Sequence, residues 1–198
     1  MKLPWLSPIR LTGAYAGLEP LDPGHEDELA AALNDGELWN LWYAKVPSPA
    51  TLKAEIARRL GLQQAGSMVP FVSRDAEGRV VGMTTYMNID AENQRVEIGA
   101  TWTARHAQRS PVNTQCKLLL LAHAFERGAI AVEFRTHFLN QQSRRAIERL
   151  GARLDGVLRN HQRLANGTLR DTCVYSITQE EWPAVRTHLQ WQLDKPRT

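Results

Sequence analysis

The chain has 198 residues, 43% of them hydrophobic and 23% charged, with a formal net charge of +3. That length supports one core without a metal or disulfide staple, and the ordinary mix of residues excludes an intrinsically disordered chain. The basic excess is small and no Lys/Arg run exceeds two residues, which speaks against a nucleic-acid-binding stripe.

The opening MKLPWLSPIRLTG is broken by Pro4, Ser7 and Pro8, so neither a signal peptide nor a membrane span is expected, and the cytoplasm is the expected location. Tyr15 to Pro20 reads as a first strand. Asp22 and Pro23 supply an N-cap and a first-turn proline for a helix through about Asn34. After the aromatic segment ELWNLWYAKV, Ser48 and Pro49 repeat that start signal, and Leu52, Ile56 and Leu60 keep helical spacing up to Gly66. MVPFVSRDAEGRVVGMTTYMNI then reads as two strands around a turn at Asp75 to Gly78, leading through Asp90 to Asn93 into a third. In that third strand, RVEIGATW, Val96, Ile98, Ala100 and Trp102 alternate with Glu97, Gly99 and Thr101, which predicts one apolar and one polar face.

Pro111 to Gly128 predicts a helix, and AVEFRTHF a strand parallel to the previous one through a right-handed crossover. QQSRRAIERL is a short helix stopped by Gly151. Two closing strands meet at Asn166-Gly167, a dipeptide suited to a tight hairpin, and Thr178 with Glu181 predicts a capping box before a last helix containing Trp182, Leu189 and Leu193. Cys116 and Cys173 fall in a helix-like and a strand-like run, as buried reduced thiols do, so neither a disulfide nor a cysteine metal site is expected. No repeat or linker divides the chain, and one domain over residues 1–198 is the expectation.

Two helix starts carry candidate chemistry. In ARHAQRSPVN, Ser110 is an N-cap and Pro111 a first helical residue, which predicts unpaired amides at Val112 and Asn113. Such a start attracts an anion, and Arg105, His106 and Arg109 stand beside it, although any crossover helix needs a start. In FLNQQSRRAIERLGA, Asn140 is the cap and Ser143 lies in the first turn; Arg144, Arg145 and Arg149 read as a solvated face in preference to a phosphate patch.

The ordered set of VEIG, Gln108, a crossover helix, Asn140, Ser143 and Gly151 resembles the GCN5-related N-acetyltransferases, in particular the branch related to ribosomal-protein N-terminal acetyltransferases. The resemblance implies an α/β (α+β) fold with a mixed, mostly antiparallel sheet, a splayed parallel strand pair and flanking helices. It implies acetyl-CoA as the acyl donor, with no metal, and the amine of a small molecule or protein N-terminus as acceptor; a homodimer would fit the same branch. The implied coenzyme contacts are Ala100, Thr101, Trp102, Gln108, Arg109, Ser110, Val112, Asn113, Thr114, Asn140, Ser143 and Arg149. Pro111 and Asn113 replace small residues of the family loop, and Pro111 removes one amide donor. Ile147 stands where many relatives carry a tyrosine acid, which turns attention to Ser143 or a water it holds.

Acyl transfer to an amine also needs a base and an oxyanion donor. Strand amides near Gly99 to Trp102 suit the second task. Glu97 and His137 are the candidate bases, each with a structural reading beside it. Trp39, Trp42 and Tyr43 keep helical spacing, which fits a buried stripe; in the resembled family this region borders the acceptor, so they stand as candidate substrate contacts. A coenzyme-binding sensor with little turnover is the alternative reading.

Overall fold

Apolar side chains alternating along the central strands demand cover on both faces, and the helices supply it. The computed structural model describes residues 5–196; residues 1–4, which include Pro4 of the opening run, and 197–198 lie outside the described residues. The strands are β1 Leu11–Thr12, β2 Ala16–Pro20, β3 Met68–Asp75, β4 Val80–Asp90, β5 Arg95–Thr103, β6 Ala131–His137, β7 Arg153–Arg163 and β8 Leu169–Thr178. The helices are α1 Glu26–Asn34, α2 Pro49–Gln64, α3 Val112–Glu126, α4 Gln141–Arg149 and α5 Trp182–Asp194.

All eight strands form one sheet in the order β1-β2-β3-β4-β5-β6-β8-β7. Every neighbouring pair is antiparallel except β5 and β6, which are parallel. On one face Leu29 and Leu33 of α1 and Leu52 and Ile56 of α2 pack on Val72, Met83 and Trp102. On the other, Leu120 and Leu121 of α3 and Leu189 and Leu193 of α5 pack on Phe71, Ile98 and Val132, and Ile147 of α4 and Leu150, just past its end, join them. A fully buried leucine in either layer contributes roughly 1.5–3 kcal/mol, so both layers fix the strands between them.

Local signals act as read. Asp22 accepts the Gly24 amide, and Ser48 and Thr51 form a capping box. The α1 segment is preceded by a short 3-10 turn at Pro23–His25. Four details differ from the sequence reading. The strand read first, at Tyr15 to Pro20, is β2, and the two-residue β1 precedes it. β8 inserts between β6 and β7, a placement that no local pattern encodes. The β7–β8 connection spans residues 164–168, not a two-residue turn, with Gly167 at φ 82°. Glu181 does take the Thr178 amide at 3.0 Å, but α5 starts only at Trp182.

Both cysteines are buried and free. Among the described residues no helix is long and apolar enough to cross a membrane, and no group of three or more His, Cys, Asp or Glu is placed to hold a metal.

Candidate active site

Between β5 and β6 only Arg95↔Ala131, Val96↔Val132 and Glu97↔Glu133 are paired, although the strands run on to Thr103 and His137. β5 stays with β4 and β6 with β8, so the two diverge and leave a wedge between unpaired edges. A bulge shapes one wall. Thr85 pairs with Gly99 and Met83 with Trp102, which sets Ala100 and Thr101 opposite Thr84, and Ala100 takes a left-handed φ of 48°. The bulge breaks the even alternation read from RVEIGATW: Val96 and Ile98 pack with α3, whereas Trp102 turns to the α1 and α2 side.

The wedge belongs to a cavity of about 1790 Å³ lined by Ala100, Thr101 and Trp102. The Trp102 Nε1 is buried there without a partner among the described residues. Gly99 keeps room for its neighbour, because an added Cβ would sit 2.7 Å from Met87 Sδ and 2.9 Å from Glu97 Oε1.

The loop after β5 is fastened at both ends. Gln108 Nε2 donates to the Thr103 carbonyl at 2.9 Å. Ser110 Oγ donates to the Ala107 carbonyl at 2.6 Å and accepts the Val112 amide at 3.3 Å. Pro111 has helical angles, φ −68° and ψ −15°, and its carbonyl accepts from the Gln115 amide. Ser110 therefore caps and Pro111 opens the helix, as the dipeptide predicts. The free donors differ from expectation: the Val112 amide is taken by Ser110. The amides of Arg109, Ser110, Asn113 and Thr114 are the ones without an acceptor among the described residues, and Arg109 holds φ 58°. Consecutive donors around a left-handed residue at a helix start make an anion-receptive nest.

Arg105 and Arg109 line the cavity beside that nest. His106 does not serve with them, since its Nδ1 and backbone amide are tied to Asp35 Oδ2 at 2.6 and 2.8 Å. Val112 and Thr114 are buried and stand outside the cavity lining. Thr114 instead accepts from Arg149 Nη2 at 3.0 Å, while Arg149 Nη1 reaches Gln192 Oε1 at 2.6 Å, which joins α3, α4 and α5. Across the wedge Asn140 Oδ1 accepts the Ser143 amide at 3.0 Å, a helix cap, and both residues line the cavity. The Ser143 hydroxyl has no hydrogen bond to the protein among the described residues. Buried Ile147 lines the same wall.

The register places Glu97, Glu133, Arg135, His137, Thr172 and Arg170 on one sheet face, the side of α1 and α2. Glu97 is 5% exposed and accepts from Asn88 Nδ2 at 2.7 Å. Burial raises its pKa above the ordinary carboxylate value, against the lowering effects of the Asn88 hydrogen bond and the Arg135 charge. His137 Nδ1 accepts the Leu139 amide at 3.1 Å, which puts the ring proton on Nε2, and that atom is buried without a partner. Burial also lowers the His137 pKa.

The aromatic segment is not the buried helical stripe that its spacing allows, because only Leu38–Asn40 is helical, as a 3-10 turn. Trp39 packs against the α1–α2 core. Trp42 is 52% exposed, its ring 5.3 Å from that of His137. Tyr43 lines the cavity with its ring 6.1 Å from His137.

Two buried cations were not singled out from the sequence. Arg59, 1% exposed, donates to Glu55 at 2.7 Å and Thr85 Oγ1 at 2.9 Å, and reaches the Ala100 carbonyl at 3.4 Å. From the opposite face, Lys117 Nζ donates to Thr101 Oγ1 at 2.7 Å and Thr84 Oγ1 at 2.9 Å. Burial drives its pKa down to about 8. A signal existed: in QCKLLLLAHAF of α3, Lys117 is the sole Lys, Arg, Asp or Glu.

A parallel strand pair held open by a bulge, facing a helix start with free amides, defines an α/β group-transfer enzyme. Residues 16–153 match the acetyltransferase (GNAT) domain. The chain belongs to that family and is an N-acetyltransferase. A crystal structure of a GCN5-related N-acetyltransferase from Brucella melitensis is 30% identical, with a TM-score of 0.84 over 94% of this chain and 86% of that one. Mycobacterium smegmatis RimJ in complex with CoA-disulfide shares the fold, with 20% identity and a TM-score of 0.76 over 94% of this chain and 93% of that one. A Bacillus subtilis (strain 168) protein, named provisionally as the ribosomal N-acetyltransferase YdaF, is 30% identical over 107 residues, 54% of this chain. The match spans 57% of that relative's length.

Proposed function

We propose that this N-acetyltransferase, acting as a single domain, takes its acyl group from acetyl-CoA held in the wedge and passes it directly to a primary amine of a small molecule or protein N-terminus. The observation that carries this reading is the abrupt end of β5–β6 pairing after Glu97↔Glu133, opposite a loop with four free amides. The residues fit such a coenzyme. A nest flanked by Arg105 and Arg109 suits a pyrophosphate, and the unpaired strand edges with the orphaned Trp102 Nε1 suit an extended amide-bearing arm.

Acetyl-CoA supplies, when bound, an acyl carbon activated as a thioester. The amides of Arg109, Ser110 and Asn113, which line the cavity, would hold its diphosphate, and Asn140 and Gln108 line the path between the two helix starts. Amides of the bulge at Gly99 to Trp102 receive the charge that develops on the acyl oxygen. Glu97 takes the proton from the attacking amine, directly or through water, since a pKa raised by burial makes its carboxylate a stronger base. Ser143, with its hydroxyl uncommitted, relays a proton from solvent water to the departing sulfur, so that the hydroxyl is restored as the thiol leaves. His137 presents Nε2–H to the acceptor side and serves better as a donor than as the base.

Calorimetry with coenzyme A and a thiol-release assay over an amine panel test the reading. Micromolar binding together with acyl-dependent thiol release is expected. Absence of both overturns it, and tight binding without release favours a sensor.

A further inference from the structure

The acceptor side of the cavity carries a charge that the steps above do not use. On the sheet face shared by β5, β6 and β8, the carboxylates are committed: Glu133 pairs with Arg95 and Arg135, and Glu97 lies 3.5 Å from Arg135. Arg170 is different. Its Nε donates to Thr172 Oγ1 at 3.0 Å, and the Nη1 and Nη2 atoms have no partner among the described residues. Thr172 is itself buried and held by His161 Nδ1 at 3.1 Å, so the guanidinium is aimed by a fixed neighbour. Arg170, Thr172, His161, Arg135 and Glu97 all line the cavity.

An arginine end that is half-buried, oriented and without a carboxylate is arranged to receive one, because the planar fork donates two parallel bonds to a carboxylate. Burial lowers the Arg170 pKa, with Glu97 and Cys173 opposing the effect, as expected for a cation that lacks a full counter-charge. An acceptor amine positioned at Glu97 extends, on this same face, toward Arg170. Resting on the proposed acyl transfer, we infer that the acceptor is a primary amine that also carries a carboxylate, and that Arg170 pairs with that carboxylate.

The test compares amino acids with their primary amides, glycine with glycinamide and glutamate with its α-amide and diamide, at one fixed pH. The acid form is expected to be used with at least tenfold higher kcat/KM, mostly through KM. In Arg170→Gln that acid-to-amide ratio collapses toward one, and Arg170→Lys restores part of it. Calorimetry on the coenzyme A complex should show the same preference in Kd. Equal use of acids and amides, or an unchanged ratio in Arg170→Gln, overturns the proposal while leaving acyl transfer intact. Failure to bind coenzyme A or to release thiol with any amine overturns acyl transfer, and the inference with it.

Discussion

Lys117 Nζ lies 2.7 Å from Thr101 Oγ1, so a buried cation without an ion pair among the described residues grips the bulge that opens the wedge. Arg59 grips the neighbouring Ala100 carbonyl from the opposite sheet face. Among the described residues their one ion-paired carboxylate is Glu55, on the Arg59 side, which also pairs with Arg58. The strained left-handed Ala100 is thus clamped between two positive charges, an arrangement that favours negative charge in the cavity at the cost of desolvating Lys117.

That cost is measurable. A pKa held at about 8, against 10.5 for an unperturbed lysine, means the folded state binds fewer protons between those values than the unfolded one. Stability is therefore reduced below pH 8 and recovers as pH rises. Relative to Lys117→Met, the wild type should gain roughly 1 kcal/mol between pH 7 and 9 in denaturant titrations. The variant should be at least as stable at pH 7 but bind coenzyme A more weakly. Equal pH dependence of the two proteins would remove the buried charge from this account.

Glu97 offers a second titration with the opposite sign. Its folded pKa is raised, so its contribution to stability is fully present below pH 4.5 and is lost as pH climbs through the elevated value. Glu97→Gln should accordingly be the more stable protein at neutral pH while kcat falls by about a hundredfold. Because the Asn88 hydrogen bond lowers this pKa, Asn88→Ala should move the acid limb of kcat/KM to higher pH. A limb that stays in place would show that another group titrates.

Asn140 and Ser143 separate by the same logic of bonds already made. Asn140 caps α4 through the Ser143 amide, so Asn140→Ala should cost about 1 kcal/mol of stability in addition to weakening coenzyme affinity. The Ser143 side chain makes no such bond. Ser143→Ala should leave the melting temperature within a degree or two and lower kcat, most visibly with acyl donors whose thiol leaves poorly. A melting temperature that drops as far as in Asn140→Ala would point to a packing role.

What was legible in the sequence follows the range of the forces involved. Caps, helix spacing and strand alternation are local, so the Asp22, Ser48 and Ser110 starts and the strand–helix–strand crossover stand as read. The Asn140-to-Gly151 segment identified the second helix start for the same reason. The bulge at Ala100 was not legible, because it exists only as a mismatch of count between β4 and β5. It reversed the side on which Trp102 lies. The insertion of β8 beside β6 is equally non-local, and with it went any sight of Arg170, which reaches the Glu97 face only through that pairing. Trp42 and Tyr43 were placed by helical spacing, but the turn at Leu38–Asn40 ends at Leu41, whose backbone is extended.

The absent side chain at Gly99 gives the sharpest separation of binding from chemistry. Gly99 shares its sheet face with Glu97, two residues away, and an added methyl would press on Glu97 Oε1 and Met87 Sδ at 2.9 and 2.7 Å. Methionine can swing away, but the carboxylate is held by Asn88 and faces Arg135, so the strain falls on the proposed base. Since Gly99 precedes the bulge and lies across the sheet from the α3 start, the coenzyme nest should be untouched. Gly99→Ala is expected to keep the Kd for coenzyme A within about twofold while kcat drops at least tenfold, a displacement of the base by a fraction of an ångström being enough to misalign proton transfer. Loss of coenzyme affinity in step with kcat would mean that the bulge, and not Glu97, had absorbed the methyl.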